Sequence, residues 1–137
     1  MSQQGTIQMN YKVTLIITSL LAMLFGSFHL ADDIVRGFEP GKFSTIGGIL
    51  LLVVWLYATL MLAERRLGYV IVFLVSLLAS AVPVIHMQGA GLVGGRIANS
   101  SGMFFWVWTH LALGATALVS VILSARAFWS LQRRPTR

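Results

Sequence analysis

Long apolar stretches alternate with short polar connections along the chain, and this pattern predicts its secondary structure. Apolar residues dominate four stretches: residues 12–31, 45–63, 69–87 and 103–125. Each is close to the ~20 residues that an α-helix, rising about 1.5 Å per residue, needs to cross about 30 Å of hydrocarbon. The stretches are apolar on every face, whereas a surface helix of a soluble protein has a polar side. The sequence therefore predicts four transmembrane helices.

Composition points to the same class of protein. Hydrophobic residues make up 57% of the chain and charged residues only 10%, whereas soluble domains carry about 25% charged residues. A soluble chain of 137 residues would have little other sequence with which to cover four wholly apolar helices. The composition thus favours an all-α integral membrane protein with a single membrane domain.

The lengths of the connections predict how the helices follow one another. The second connection is only residues 64–68, so the helices on either side should be antiparallel neighbours. Gly68 is expected to adopt the left-handed conformation that ends a helix. The other two connections, about residues 32–44 and 88–102, are longer. We expect an antiparallel four-helix transmembrane bundle with up-down-up-down topology.

The net charge of +6 is distributed unevenly between the two sides of the predicted bundle. Seven basic residues fall on the side of the chain ends: Lys12, Arg65, Arg66, Arg126, Arg133, Arg134 and Arg137. On the other side, three basic residues are offset by three acidic ones: Arg36, Lys42 and Arg96 by Asp32, Asp33 and Glu39. The positive-inside rule then predicts a multi-pass protein of the plasma or inner membrane with both termini in the cytoplasm.

The two ends of the chain, residues 1–10 and 132–137, are polar and are expected to be mobile in the cytoplasm. Four arginines spread over the last twelve residues do not form a nucleic-acid groove, so the expected partner of the tail is the anionic bilayer surface.

All three histidines continue helix faces made of small residues. Such faces, with residues spaced by three and four, favour helix contacts in lipid. In the first helix the face is Thr18, Ala22, Gly26, His29 and Asp33; in the third it is Ser76, Ala79, Pro83 and His86; in the fourth it is His110, Gly114, Ala117 and Ser124. His29 and His86 lie at the outer ends of their helices, and His110 lies about 10 Å below the outer interface. The three side chains could therefore converge.

A converging cluster would offer several kinds of chemistry. Imidazole and carboxylate groups are ligands for zinc, copper or iron, so His29, Asp33, His86 and His110 are the candidate metal ligands. Two of the histidines could instead hold a haem, with Trp106 packing one turn from His110. The imidazoles could also pass protons inward from the outer face. The chain has no cysteine, which excludes a thiolate site and disulfides.

An ordinary role for the histidines is expected first, because imidazoles near an interface commonly bind loop carbonyls or lipid headgroups. We therefore expect a small polytopic membrane protein with a structural or accessory role, associating with itself or with a larger membrane complex. No sequence motif demonstrates an enzymatic activity. The alternative is a metal- or haem-binding redox or sensing protein with its site near the outer face. No acidic residue lies in the middle of a span, which disfavours an ion-coupled transporter.

Overall fold

The computed structural model describes residues 3–38, 41–86 and 101–132, with side chains from residue 10 onward. These residues form four helices: α1 Gln3–Arg36, α2 Lys42–Met61, α3 Arg66–His86 and α4 Met103–Gln132. All four are long and apolar enough to cross a membrane. The described part of the chain is thus all-helical, and the prediction of four helices of membrane-spanning length is confirmed.

Helix α1 extends beyond the predicted stretch at both ends. It includes residues 3–10, which were expected as a polar end, and residues 32–36, which were expected to begin the outer connection. Residues 133–137 of the predicted C-terminal end lie outside the described residues. Helix α1 ends in a Schellman motif, with Gly37 at φ 67° and the Phe38 N–H bonded to the Asp33 carbonyl at 2.9 Å. Asp33 is therefore held on the last turns of a helix rather than in a loop.

The connection between α2 and α3 corrects one expectation. The left-handed conformation belongs to Glu64, at φ 76°, whereas Gly68 lies within α3. Gly68 is needed for a different reason, because a Cβ at this position would overlap the Leu62 carbonyl at the end of α2. The prediction of a left-handed Gly68 is wrong, and the absence of a side chain there instead permits the close approach of the turn to α3.

Helices α3 and α4 form the most extensive contact, followed by α1 with α4. The predicted small-residue faces lie inside: Ala22, Ser76, Ala79, Ala117 and Ser124 are all buried. The apolar core is made up of Leu15, Ala22, Met23, Trp55, Ala58, Leu62, Tyr69, Val72, Val75, Ala79, Leu113, Ala117 and Leu123. Helix α2 contributes only Trp55, Ala58 and Thr59 to the buried set, so α1, α3 and α4 determine most of the packing.

Contacts between α1 and α4 define the register that positions the site. The Ser120 hydroxyl donates to Thr18 Oγ1 at 3.0 Å, His29 lies against His110, and Arg36 Nη2 donates to the Ser101 carbonyl at 2.8 Å. Residues of increasing number in α1 thus meet residues of decreasing number in α4. This register brings the end of α1 to the beginning of α4, where two of the histidines lie.

Candidate metal centre

The three histidines converge at one end of the helices. The centroid of the His29 ring lies 3.9 Å from that of His110 and 4.9 Å from that of His86, and His86 and His110 are 4.8 Å apart. One possible ligand nitrogen from each ring lies within 4.8 Å of the other two. The sequence left this convergence open, and the structure brings all three together.

A close contact between α3 and α4 accounts for the approach of two of these rings. A Cβ built at Gly114 would lie 2.7 Å from Cγ of Pro83, so the proline ring packs directly on the glycine backbone. His86 follows Pro83 by three residues, and His110 precedes Gly114 by four. Because each histidine lies about one turn from the contact point, on the same side of it, the two imidazoles are brought together.

Asp33 joins the cluster from α1. Its Oδ2 lies 3.3 Å from His29 Nε2 and 3.5 Å from His86 Nε2. Its Oδ1 accepts a hydrogen bond from the Trp106 indole at 3.2 Å. The residue is only 4% exposed. One carboxylate therefore connects α1, α3 and α4 at the histidines.

Hydrogen bonds determine which ring nitrogens carry protons. His110 Nδ1 lies 2.8 Å from the Trp106 carbonyl, and His86 Nδ1 lies 3.0 Å from the Val82 carbonyl. Carbonyl oxygens only accept, so both Nδ1 atoms must donate, and in the neutral ring Nε2 then carries a lone pair. His29 differs, because its Nε2 can donate to Asp33 and leave the lone pair on Nδ1.

Two of the remaining nitrogens are buried and form no hydrogen bond with the described part of the chain. His29 Nδ1 and His110 Nε2 have no partner among the residues that the structure describes. His110 is fully buried and His29 is 8% exposed. A buried polar atom without a partner costs about 1–3 kcal/mol. Two such atoms, in rings that touch each other, are the least satisfied polar feature of this cluster.

The contact between His86 and Asp33 depends on what lies on the second ring nitrogen of His86. With its proton on Nδ1, the lone pair of Nε2 faces Asp33 Oδ2 at 3.5 Å. Two acceptors at this separation repel each other unless a proton or a metal cation lies between them. A second proton on His86 makes this contact an ion pair, and a metal cation on Nε2 would also join the two groups.

The neighbouring charges are paired outside the cluster. Asp32 Oδ2 accepts from Arg36 Nε at 2.7 Å, and Arg36 also bonds the Ser101 carbonyl. Asp32 therefore offsets the charge of Arg36, and Arg36 ties the end of α1 to the segment that precedes α4. Asp33 is left to interact with the histidines and Trp106.

Sequence reasoning named the three histidines and Asp33 but missed the position of Trp106. The sequence predicted only that Trp106 packs one turn from His110. The centroid of its ring does lie 3.9 Å from that of His110, and the residue is also buried and donates to Asp33. The spacing of four residues indicated the ring contact. The bond to Asp33 depends on how α1 and α4 meet, which no local pattern reveals.

Comparison with models of protein families, with curated proteins and with solved structures finds no match to this chain.

Proposed function

We propose that this protein is a four-span membrane protein that binds one transition-metal ion through His29, His86 and His110 near one membrane surface. The observation that carries this proposal is the pair of buried, unpartnered nitrogens on adjacent histidines. A metal ion would accept both lone pairs. It would also separate the lone pair of His86 from the Asp33 carboxylate.

The ligand atoms in this proposal are His29 Nδ1, His86 Nε2 and His110 Nε2. In each ring the other nitrogen donates to a fixed acceptor: Asp33, the Val82 carbonyl and the Trp106 carbonyl, respectively. This arrangement is typical of metal-binding histidines, whose second nitrogen is oriented by a carboxylate or carbonyl. Each ring offers one nitrogen within 4.8 Å of a nitrogen on the other two. Ligands at 2.0–2.1 Å from tetrahedral zinc lie about 3.3 Å apart, so the rings would move closer on binding.

Three imidazoles with a nearby carboxylate suit Zn²⁺, Cu²⁺, Fe²⁺ or Ni²⁺. Asp33 orients His29 and offsets part of the charge of the ion. The His86 side chain is 33% exposed, so an ion would reach the site from the side of the cluster where His86 lies. Three protein ligands leave a coordination position for an external group, which fits a sensing or redox role better than a closed structural site.

The contacts between the rings favour a metal ion over haem. Axial ligation would place two imidazoles on opposite sides of a macrocycle. In the structure the three rings instead meet one another edge to face. A haem would have to separate α1, α3 and α4 at the point where Asp33 connects them.

A structural or accessory role, the first expectation from the sequence, is the second candidate. It is favoured by the bonds of His86 and His110 to carbonyls of their own helices. A structural role explains the hydrogen bond made by one nitrogen of each ring. It does not explain why His29 Nδ1 and His110 Nε2 are buried without a partner among the described residues.

The bilayer setting is part of the proposal. Large apolar side chains are exposed on all four helices, for example Leu24, Val53, Leu78 and Leu118. In a bilayer, lipid would cover these side chains and keep them out of water. The register between α1 and α4 supports the antiparallel arrangement. With both termini cytoplasmic, as the basic residues predict, the histidines lie toward the outer surface.

Metal binding to the purified protein tests the proposal. The protein is extracted in mild detergent, stripped with a chelator and titrated with Zn²⁺ or Co²⁺, with metal content measured by mass spectrometry and Co²⁺ coordination by visible absorption. We expect one ion per chain, and loss of most of it in His29→Ala or His110→Ala. Asp32→Asn is the matched control, because it removes the adjacent carboxylate that pairs with Arg36, and it should retain the ion.

The two candidate functions give different results in this titration. A parent protein that binds no ion, or His110→Ala protein that binds as well as the parent, would favour the structural role and reject the metal centre.

A further inference from the structure

A second candidate site lies at the opposite end of the helices. Lys12 lies 17 residues before His29 in α1, which is about 25 Å along the helix. Here a cavity of about 370 Å³ opens between α1, α3, α4 and the turn before α3. The metal proposal makes no use of it.

Two basic side chains contribute to the lining of this cavity. Lys12 and Arg126 line it together with one acid, Glu64. Lys12 Nζ lies 2.6 Å from Glu64 Oε1, whereas no ion pair links Arg126 to any residue in the described ranges 10–38, 41–86 and 101–132. The cavity therefore carries an excess of positive charge, and Arg126 has donors available for an anion.

The lining of the same cavity also includes apolar side chains, those of Leu15, Leu123, Ala127 and Leu131. A smaller cavity of about 60 Å³ shares Lys12 and Leu15 with it and continues along α2 past Ala58 and Leu62. A lining with both basic and apolar side chains complements a molecule with an anionic head and a hydrocarbon tail. Free phosphate would use only the basic side chains.

The Lys12–Glu64 pair can exchange partners at low cost. Its side chains are 41% and 67% exposed, and exposed ion pairs stabilise a protein very little. Glu64 also has a positive φ of 76°, a conformation that is unfavourable for a residue with a Cβ. An anionic headgroup could therefore replace the Glu64 carboxylate beside Lys12 without disturbing the helices.

We propose that this cavity binds an acidic phospholipid, with Arg126 and Lys12 holding the headgroup phosphate and the apolar side chains of the lining receiving the start of the acyl chains. The inference rests on the placement of the helices in a bilayer and is independent of the metal centre. In the orientation proposed above, the site faces the cytoplasmic leaflet, where anionic lipids attract basic residues.

Lipid retention by the detergent-purified full chain tests this site. Native mass spectrometry would compare phosphatidylglycerol with phosphatidylcholine at equal concentration. We expect a preference for phosphatidylglycerol that falls about fivefold in Arg126→Gln, the loss expected for one basic residue near an anionic surface. Arg65→Gln is the matched control, since it removes the same charge from an exposed position at the same end, outside the cavity lining; it should bind like the parent.

Two further variants separate the cavity from general surface charge. Ala127→Trp fills the cavity while leaving every charge in place, and should also lose phosphatidylglycerol. Glu64→Gln removes the competing carboxylate and should increase retention.

Three results would overturn the proposal. Equal retention of the two lipids would show that the site does not distinguish an anionic from a zwitterionic headgroup. Equal losses in Arg65→Gln and Arg126→Gln would show diffuse attraction to the surface. Full displacement of the lipid by glycerol phosphate at matching concentration would show a phosphate site that does not use the acyl chains.

Discussion

His110 is the most constrained residue of the histidine cluster. It is fully buried, its Nδ1 donates to the Trp106 carbonyl, and its Nε2 has no partner among the described residues. Its ring contacts those of His29, His86 and Trp106. A substitution of His110 should therefore change the positions of His29, His86 and Trp106 as well.

The first prediction concerns coupling between the histidines. Each of His29→Ala, His86→Ala and His110→Ala should remove most of the bound metal, and double substitutions should add little, because ligands of one ion act as a unit. Metal content and Co²⁺ absorption of the single and double variants measure this. Independent and additive losses across the three positions would contradict a shared site.

The second prediction concerns the residue that holds Asp33. Trp106→Phe keeps an aromatic ring beside His110 but removes the N–H that donates to Asp33. Asp33 orients the ligand His29, and loss of such a direct partner lowers metal affinity about 10- to 100-fold. Metal affinity should therefore fall by up to about tenfold when Asp33 loses the bond that holds it. Trp108→Phe, at an exposed position in the same helix, is the control and should titrate like the parent. If both variants bind equally well, Asp33 does not depend on Trp106.

The residues of the cluster could be predicted from the sequence, but the distances between them could not. His29 and Asp33 are four residues apart, and this spacing is enough to place them on one helix face. The sharing of Asp33 between His29 and His86 depends on the rotation of α1 relative to α3. That rotation follows from side-chain packing across the whole interface, which has no local signal.

At the scale of the helices, the contact between Pro83 and Gly114 sets the distance between α3 and α4. The third prediction compares two glycines on the packed faces. A Cβ at Gly114 would lie 2.7 Å from the ring of Pro83, whereas a Cβ at Gly26 would meet Leu113 and Leu52 at ordinary distances of 3.6 and 3.7 Å. Gly114→Ala should therefore destabilise the protein by about 1–3 kcal/mol through overpacking, and Gly26→Ala should be tolerated.

Thermal unfolding in one detergent would measure both glycine variants. Equal midpoints for Gly114→Ala and the parent would mean that α3 and α4 are not packed as closely as described. Because the pair also positions His86 and His110, Gly114→Ala should weaken metal binding as well.

The lengths of the apolar stretches were enough to predict where the helices lie in the sequence. They were not enough to predict where each helix begins and ends. The hydrocarbon core requires apolar residues only where the helix crosses it, so α1 continues as far as Arg36 through residues that look like a loop. Gly37, with its left-handed conformation, is the residue that ends this helix. The same reasoning failed at Gly68, where a steric requirement rather than a turn conformation calls for glycine.

At the scale of the whole molecule, the distribution of charge predicts the orientation. In the sequence, seven basic residues fall in or beside the chain ends and residues 64–68, against three in or beside the other two connections. As a fourth prediction, reporter fusions within residues 64–68 and after residue 137 should report cytoplasm, and fusions near Gly41 and Gly94 should report the opposite side. A C-terminal reporter found outside would reverse the orientation, placing the histidines toward the cytoplasm and the lipid cavity in the outer leaflet.

Coordination of the bound ion is the most direct test of the central claim. Zinc-loaded protein in detergent, with one ion per chain, would be measured by X-ray absorption at the zinc edge. The structure predicts a first shell with three imidazole nitrogens at about 2.0–2.1 Å, together with oxygen donors, and loss of this signal in His110→Ala. A first shell of oxygen alone, or a spectrum unchanged in His110→Ala, would contradict binding of the ion by the three histidines.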